Sequence, residues 1–207
     1  MTNLSVNLNK IALLRNSRNI GIPSVTNAAK IAVEAGANGI TVHPRPDERH
    51  IKPKDVYELA QMPDAFTSNS GWNLAENRHQ LIPIIEKLKS FDIRISLFMD
   101  ADSNQIPLAK EIGADRIELY TEPYATAFRM GEVEAVFHKY IQATKIAQDN
   151  GLGVNAGHDL NLQNLEKFCS IPNILEVSIG HALIAEALEM GLHNTVKAYL
   201  KILSSTS

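Results

Sequence analysis

Short β-rich runs alternate with amphipathic helical stretches along the whole chain, and this alternation is what most limits the fold. Leu4-Ser5-Val6-Asn7-Leu8 alternates like a strand. Ser24 opens a helical stretch through Ala35, and Gly36 stops it. Gly39-Ile40-Thr41-Val42-His43 is the second strand; residues 53–62 follow as a helix behind Pro53, a good first-turn residue. Residues 63–73 are polar and rich in turn formers, and the pattern predicts a helix over 74–90. Strands are predicted at 93–98, 116–120, 152–155 and 175–179, with helices at 103–112, 132–150, 161–169 and 182–203. The phrases AGANGITVH and IGADRIELY echo each other, as a repeated αβ unit would. Strands alternating with helices imply a parallel α/β architecture, and no low-complexity linker divides residues 1–207 into more than one domain.

Composition removes several classes. A net charge of −3 argues against a surface that coats nucleic acid. Cys169 is the one cysteine, so neither an intrachain disulfide nor a cysteine-based zinc site can form. The apolar runs are far shorter than the ~18 residues that span a bilayer, and the first residues lack a signal-peptide core. A cytoplasmic protein with no membrane partner is expected. The G-x-G-x-x-G and Walker A fingerprints are both missing, which lowers nucleotide-binding readings.

In folds of this kind ligands sit beyond the carboxyl ends of the strands. Polar residues collect there. Asn7, Asn9 and Lys10 follow the first strand, with Arg15 and Arg18 soon after. His43, Arg45, Arg49 and His50 follow the second. Glu118 lies within the strand at 116–120, and Asn155, Gly157, His158 and Asp159 close the next one. Gly180 and His181 follow the last. Three of the seven histidines thus fall at strand ends, whereas His79, His138 and His193 lie on predicted helices and read as surface residues. Histidine titrates near neutrality and can serve as acid or base. The arginines suit phosphate or carboxylate clamps, although Arg49 reads first as a loop ion pair with Asp47 or Glu48. Gly157 and Gly180 permit a phosphate to approach backbone N–H groups, or are plain turn residues. No H-x-H or H-x-x-x-H spacing marks a metal site, and Cys169 beside Phe168 reads as a small buried hydrophobe.

These segments resemble the PdxJ family of pyridoxine 5′-phosphate synthases. The resemblance runs in order through Asn7-Leu8-Asn9-Lys10, Leu14 to Arg18, the H-x-R-x-D-x-R-H stretch from His43 to His50, Val154-Asn155-Ala156-Gly157-His158 and Ile179-Gly180-His181-Ala182. It implies a TIM (β/α)₈ barrel that assembles as a homo-octamer, a tetramer of dimers. It implies condensation of 1-deoxy-D-xylulose 5-phosphate with 3-amino-2-oxopropyl phosphate to pyridoxine 5′-phosphate, phosphate and water, with no metal or organic cofactor. It assigns His43 as general base, His158 as general acid and Glu118 as the carboxylate that stabilises the transition state. Asn7, Arg18, Asp159, Gly180 and His181 match contacts to the aminooxopropyl phosphate; Arg45, His50 and Thr67 match contacts to the deoxyxylulose phosphate.

There are departures. Asn9-Lys10 stands where many members have Asp-His, and Asp159 where many have glycine. The family also carries a glutamate at the end of its third strand, and no strand here matches it. The six predicted strands fall two short of a barrel, and the two absent ones are consecutive. A strand-helix-strand stretch of roughly thirty residues is therefore expected to be missing near Met62–Pro63. A barrel so cut would have two unpaired edges. Two rival readings remain: another phosphate-binding barrel such as an aldolase or isomerase, for which Lys10 is the nearest Schiff-base candidate, and a non-catalytic regulator on a degenerate barrel.

Overall fold

The computed structural model describes residues 2–18, 20–45, 47–60, 73–101 and 104–206. Ser24 behaves as its type predicts: its hydroxyl accepts from the Asn27 N–H at 3.1 Å and starts a helix. In chain order the elements are β1 (Asn3–Asn7), α1 (Asn9–Asn16), α2 (Val25–Glu34), β2 (Gly39–Thr41), α3 (Pro53–Ala60), α4 (Leu74–Lys89), β3 (Ser96–Met99) and α5 (Ile106–Glu111). They continue as β4 (Arg116–Tyr120), α6 (Glu122–Met130), α7 (Val133–Asp149), β5 (Gly153–Gly157), α8 (Leu165–Cys169), β6 (Ile174–Ile179), α9 (His181–Met190) and α10 (Leu192–Ser205).

Among the described residues six strands run parallel in one curled sheet, in the order β2-β1-β6-β5-β4-β3. The first and last strands pair with each other, as in a closed barrel, while β2 and β3 follow one another in sequence yet occupy opposite edges. That order is a barrel's cyclic order cut once, between β2 and β3. The fold is a partial TIM barrel, and the cut falls where the missing stretch was expected. The Met62–Pro63 point itself lies outside the described residues.

Period-two alternation assigns the two faces of the sheet. Leu4, Val6, Ile40, Leu97, Ile117, Leu119, Val154, Ala156, Val177 and Ile179 point outward and are buried under the helices. The inward set is polar or small: Ser5 and Asn7, Gly39 and Thr41, Glu118, Asn155 and Gly157, and Ser178. Ser5 and Thr41 share a hydrogen bond at 2.6 Å across β1 and β2. Beneath α6 and α7 the buried rings of Tyr124, Tyr140 and Phe168 meet edge to face. The two tyrosine hydroxyls are satisfied: Tyr124 donates to the Asn164 carbonyl at 2.7 Å and Tyr140 to the Tyr120 carbonyl at 2.6 Å.

Three local expectations change. Residues 9–16, to which the sequence pattern assigned no element, form a helix after the first strand. The stretch 122–130 is a further helix, α6, with a proline in its first turn. The helix expected over 182–203 is two, because Gly191 sits at φ +78° and breaks the path between α9 and α10.

Candidate functional site

The carboxyl ends of the strands surround a cavity of about 670 Å³. Each strand end places its own chemistry there. The first strand and α1 bring Asn7, Asn9 and Lys10, and the segment after β2 brings His43, Arg45, Arg49 and His50. From β4 comes Glu118; from the end of β5 come His158 and Asp159; from β6 and α9 come Ser178, Gly180 and His181. Nine of the eleven expected site residues therefore meet in one place. Arg18 does not join them: it is exposed in the turn after α1. Thr67 lies outside the described residues.

Two hydrogen-bonded struts hold the loops. The Asn9 amide oxygen accepts from the His43 backbone N–H at 2.8 Å, tying the β2 loop to α1, and Asn7 in turn accepts from the Asn9 N–H at 3.0 Å. On the other side, His158 and Asp159 lie at φ +87° and +57°, a left-handed pair that side chains rarely adopt. Thr121 pins that pair. Its N–H donates to the Gly157 carbonyl at 2.9 Å, and its hydroxyl lies within reach of the Gly157 and His158 carbonyls. The buried Asn164 amide also donates to the Asp159 carbonyl at 3.1 Å. Consecutive strained residues held this firmly are typical of sites where geometry is functional.

The histidines are tuned in one direction. Burial lowers the pKa of His43 below 6.5, and the charges of Arg45, His158 and Arg49 push it the same way. The His158 imidazole packs against Phe98 (4.9 Å between ring centres) and Tyr120 (5.2 Å), and this desolvation lowers its pKa while Asp159 opposes the shift. His50 is lowered by burial and by Arg49; its Nδ1 accepts from the Ile51 N–H at 2.8 Å, which leaves Nε2 as the protonated nitrogen of the neutral ring. Neutral imidazoles beside cationic arginines form a site ready for anions and able to accept protons.

Two arginine readings change. Arg15 does not clamp a ligand: it forms a two-pronged pair with Asp55 and donates to the His50 carbonyl at 3.2 Å. Asp47 pairs with Arg45 at 3.5 Å rather than with the Arg49 guanidinium, and Arg49 lines the cavity. Sequence reasoning also passed over Phe98, Thr41 and Ser178. They share the inward face with Glu118 and Asn7, and only the strand pairing reveals that. Cys169 is buried with its thiol pushed up to about 12, the inert residue expected. His79, His138 and His193 are exposed on helices.

Among the described residues no group of three or more His, Cys, Asp or Glu side chains is placed to hold a metal ion, and no helix is long and apolar enough to cross a membrane.

Comparison with known proteins gives a consistent result. A family profile described as "Pyridoxal phosphate biosynthesis protein PdxJ" matches residues 4–65 and 61–205. The two matched pieces meet where the sheet is cut. A pyridoxine 5′-phosphate synthase of Albidiferax ferrireducens is 45% identical over 246 residues, covering 98% of this chain and 98% of the relative. Proteins of the same name from Porphyromonas gingivalis and Christiangramia forsetii are 44% and 46% identical, over 233 and 237 residues; they cover 96% and 98% of this chain and 98% and 100% of their own. These alignments are longer than the 207-residue chain, so the relatives carry a stretch that it lacks. Among solved structures, a 3-hexulose-6-phosphate synthase from Salmonella typhimurium superposes with a TM-score of 0.66 at 12% identity, covering all of both chains. A phosphoribosyl anthranilate isomerase from Thermus thermophilus does so with a TM-score of 0.55 at 12% identity, again over both whole chains. At that identity they speak to the fold alone.

Proposed function

Since the chain belongs to the PdxJ family, we propose that its cavity condenses 1-deoxy-D-xylulose 5-phosphate with 3-amino-2-oxopropyl phosphate to give pyridoxine 5′-phosphate, phosphate and water. The observation that carries this reading is the meeting of His43, Glu118 and His158 with Arg45, Arg49 and Lys10 around one space of about 670 Å³. Ring closure requires imine formation, repeated proton transfers and loss of water and phosphate. Two phosphorylated substrates require two anion sites. Arg45 and Arg49 supply one set of donors, and the amino end of α9 at Gly180-His181 supplies the other.

His43, held neutral, accepts a proton from the substrate. Glu118, buried in the sheet, stabilises the positive charge that develops near it. His158 protonates the departing hydroxyl; it needs its proton, and Asp159 together with the bound phosphates raises its pKa toward that task. Side chains alone carry these steps. The same reading makes the protein a cytoplasmic transferase that works as a homo-octamer. The family's second glutamate belongs to the absent stretch, and turnover slower than in the full-length relatives follows.

The test is the two-substrate assay on purified protein. Appearance of pyridoxine 5′-phosphate supports the reading, and failure to form it from both substrates together overturns it. Because Lys10 also lines the cavity, borohydride reduction in the presence of each substrate separates the aldolase reading: a covalent adduct on Lys10 favours that rival.

A further inference from the structure

Gly157 stands buried in β5, without a positive φ, at a position where glycine weakens a strand. Unlike Gly36, Gly113, Gly131, Gly151 and Gly191, it is not there to supply a positive φ. The reason is steric. A Cβ on Gly157 would lie 2.3 Å from Glu118 Oε1 and 3.3 Å from its Cδ, with the Ser178 carbonyl oxygen also at 3.3 Å. The backbone cannot withdraw, because Thr121 N–H and hydroxyl both grip the Gly157 carbonyl.

We propose that Gly157 is a positioning residue for Glu118: the side chain it lacks is the space the carboxylate occupies. The proposal rests on the reading of Glu118 as the carboxylate of the site. With any larger residue at 157 the carboxylate must swing out of its slot, because the strand beneath it is fixed on both sides by β4 and β6. The chemistry suffers while the substrates, held by arginines and the α9 end, still bind.

The experiment is a cycle of Gly157→Ala and Glu118→Asp, with Glu118→Gln alongside. Gly157→Ala is expected to lower kcat about tenfold or more, with KM changed less than about twofold. In the Glu118→Asp background, one methylene shorter, adding Gly157→Ala is expected to cost less than about twofold, since the shorter carboxylate clears the new methyl. An equal loss in both backgrounds, or no loss in the first, overturns the proposal. The melting temperature provides an arm that needs no turnover. Gly157→Ala is expected to lower it by about 5 °C when Glu118 is present and by much less in Glu118→Ala. An equal fall in both overturns the clearance idea. Should Glu118→Gln turn over like the unaltered protein, the role assigned to Glu118 fails instead, and the melting cycle still decides whether Gly157 makes its space.

Discussion

His43 and His158 illustrate how position rather than residue type creates reactivity. Each has its pKa pushed below 6.5 by burial, so the folded chain takes up these protons only at lower pH than the unfolded chain. Between the folded values and 6.5 the unfolded state binds more protons, and stability therefore falls as pH drops through that window. The melting temperature is expected to decrease from about pH 7.5 to about pH 5.5, and His158→Gln should flatten the decrease. Retention of the full slope in that variant would count against the assignment. His43→Ala and His158→Ala should each abolish pyridoxine 5′-phosphate formation with little change in melting temperature, because both rings face the cavity. Arg15 behaves in the opposite way. Its pair with Asp55 is mostly buried, and Asp55 also accepts from the Lys52 N–H at 2.8 Å. Replacing Arg15 by Met should cost about 2–4 kcal/mol by leaving a buried carboxylate unpaired, read as a shift in denaturant midpoint. By residue type alone Arg15 and Arg45 were equal anion-clamp candidates, and the family resemblance favoured only Arg45. What separated them was Asp55, forty positions from Arg15, and no local pattern announces such a partner.

At the scale of elements, most of the fold was legible because burial imposes a period. β4 falls on Arg116–Tyr120 as the pattern predicted, and the other strands are shifted by only a few residues. The failures have physical causes. Asn9 and Lys10 looked like strand-end polar residues, and α1 was overlooked because it buries little beyond Ala12. The Gly191 break was overlooked because the apolar period runs through it, and a glycine within a helical pattern is often tolerated. Gly191 stands at φ +78° with nothing within 4 Å of a Cβ added there, so its role is conformational alone. Gly191→Ala should therefore destabilise by about 1–2 kcal/mol, measured by chemical denaturation, and leave the site's turnover unchanged. A neutral result would mean that α9 and α10 can join without strain.

The whole molecule is a barrel interrupted once; two observations place the interruption between β2 and β3, and a third shows that residues are lacking. The sheet order is cyclic with its break there; the family match divides at residues 61–65; and the relatives align over 233 to 246 positions against 207 residues. Among the described residues β2 and β3 each have one edge without a partner strand, and the Ser96 hydroxyl, buried on β3, has no hydrogen-bond partner. A chain in this state should bind hydrophobic dye and melt low. Inserting the relatives' stretch between Met62 and Pro63 should pair both edges, supply the second glutamate, raise the melting temperature by about 10 °C or more, and increase turnover. The native protein, if it carries that stretch, should show an intact mass well above 22.8 kDa when purified from its own source. A mass equal to that value, together with a melting temperature unaltered by the insertion, would mean that six strands suffice and that the missing glutamate is replaced from within the cavity already formed.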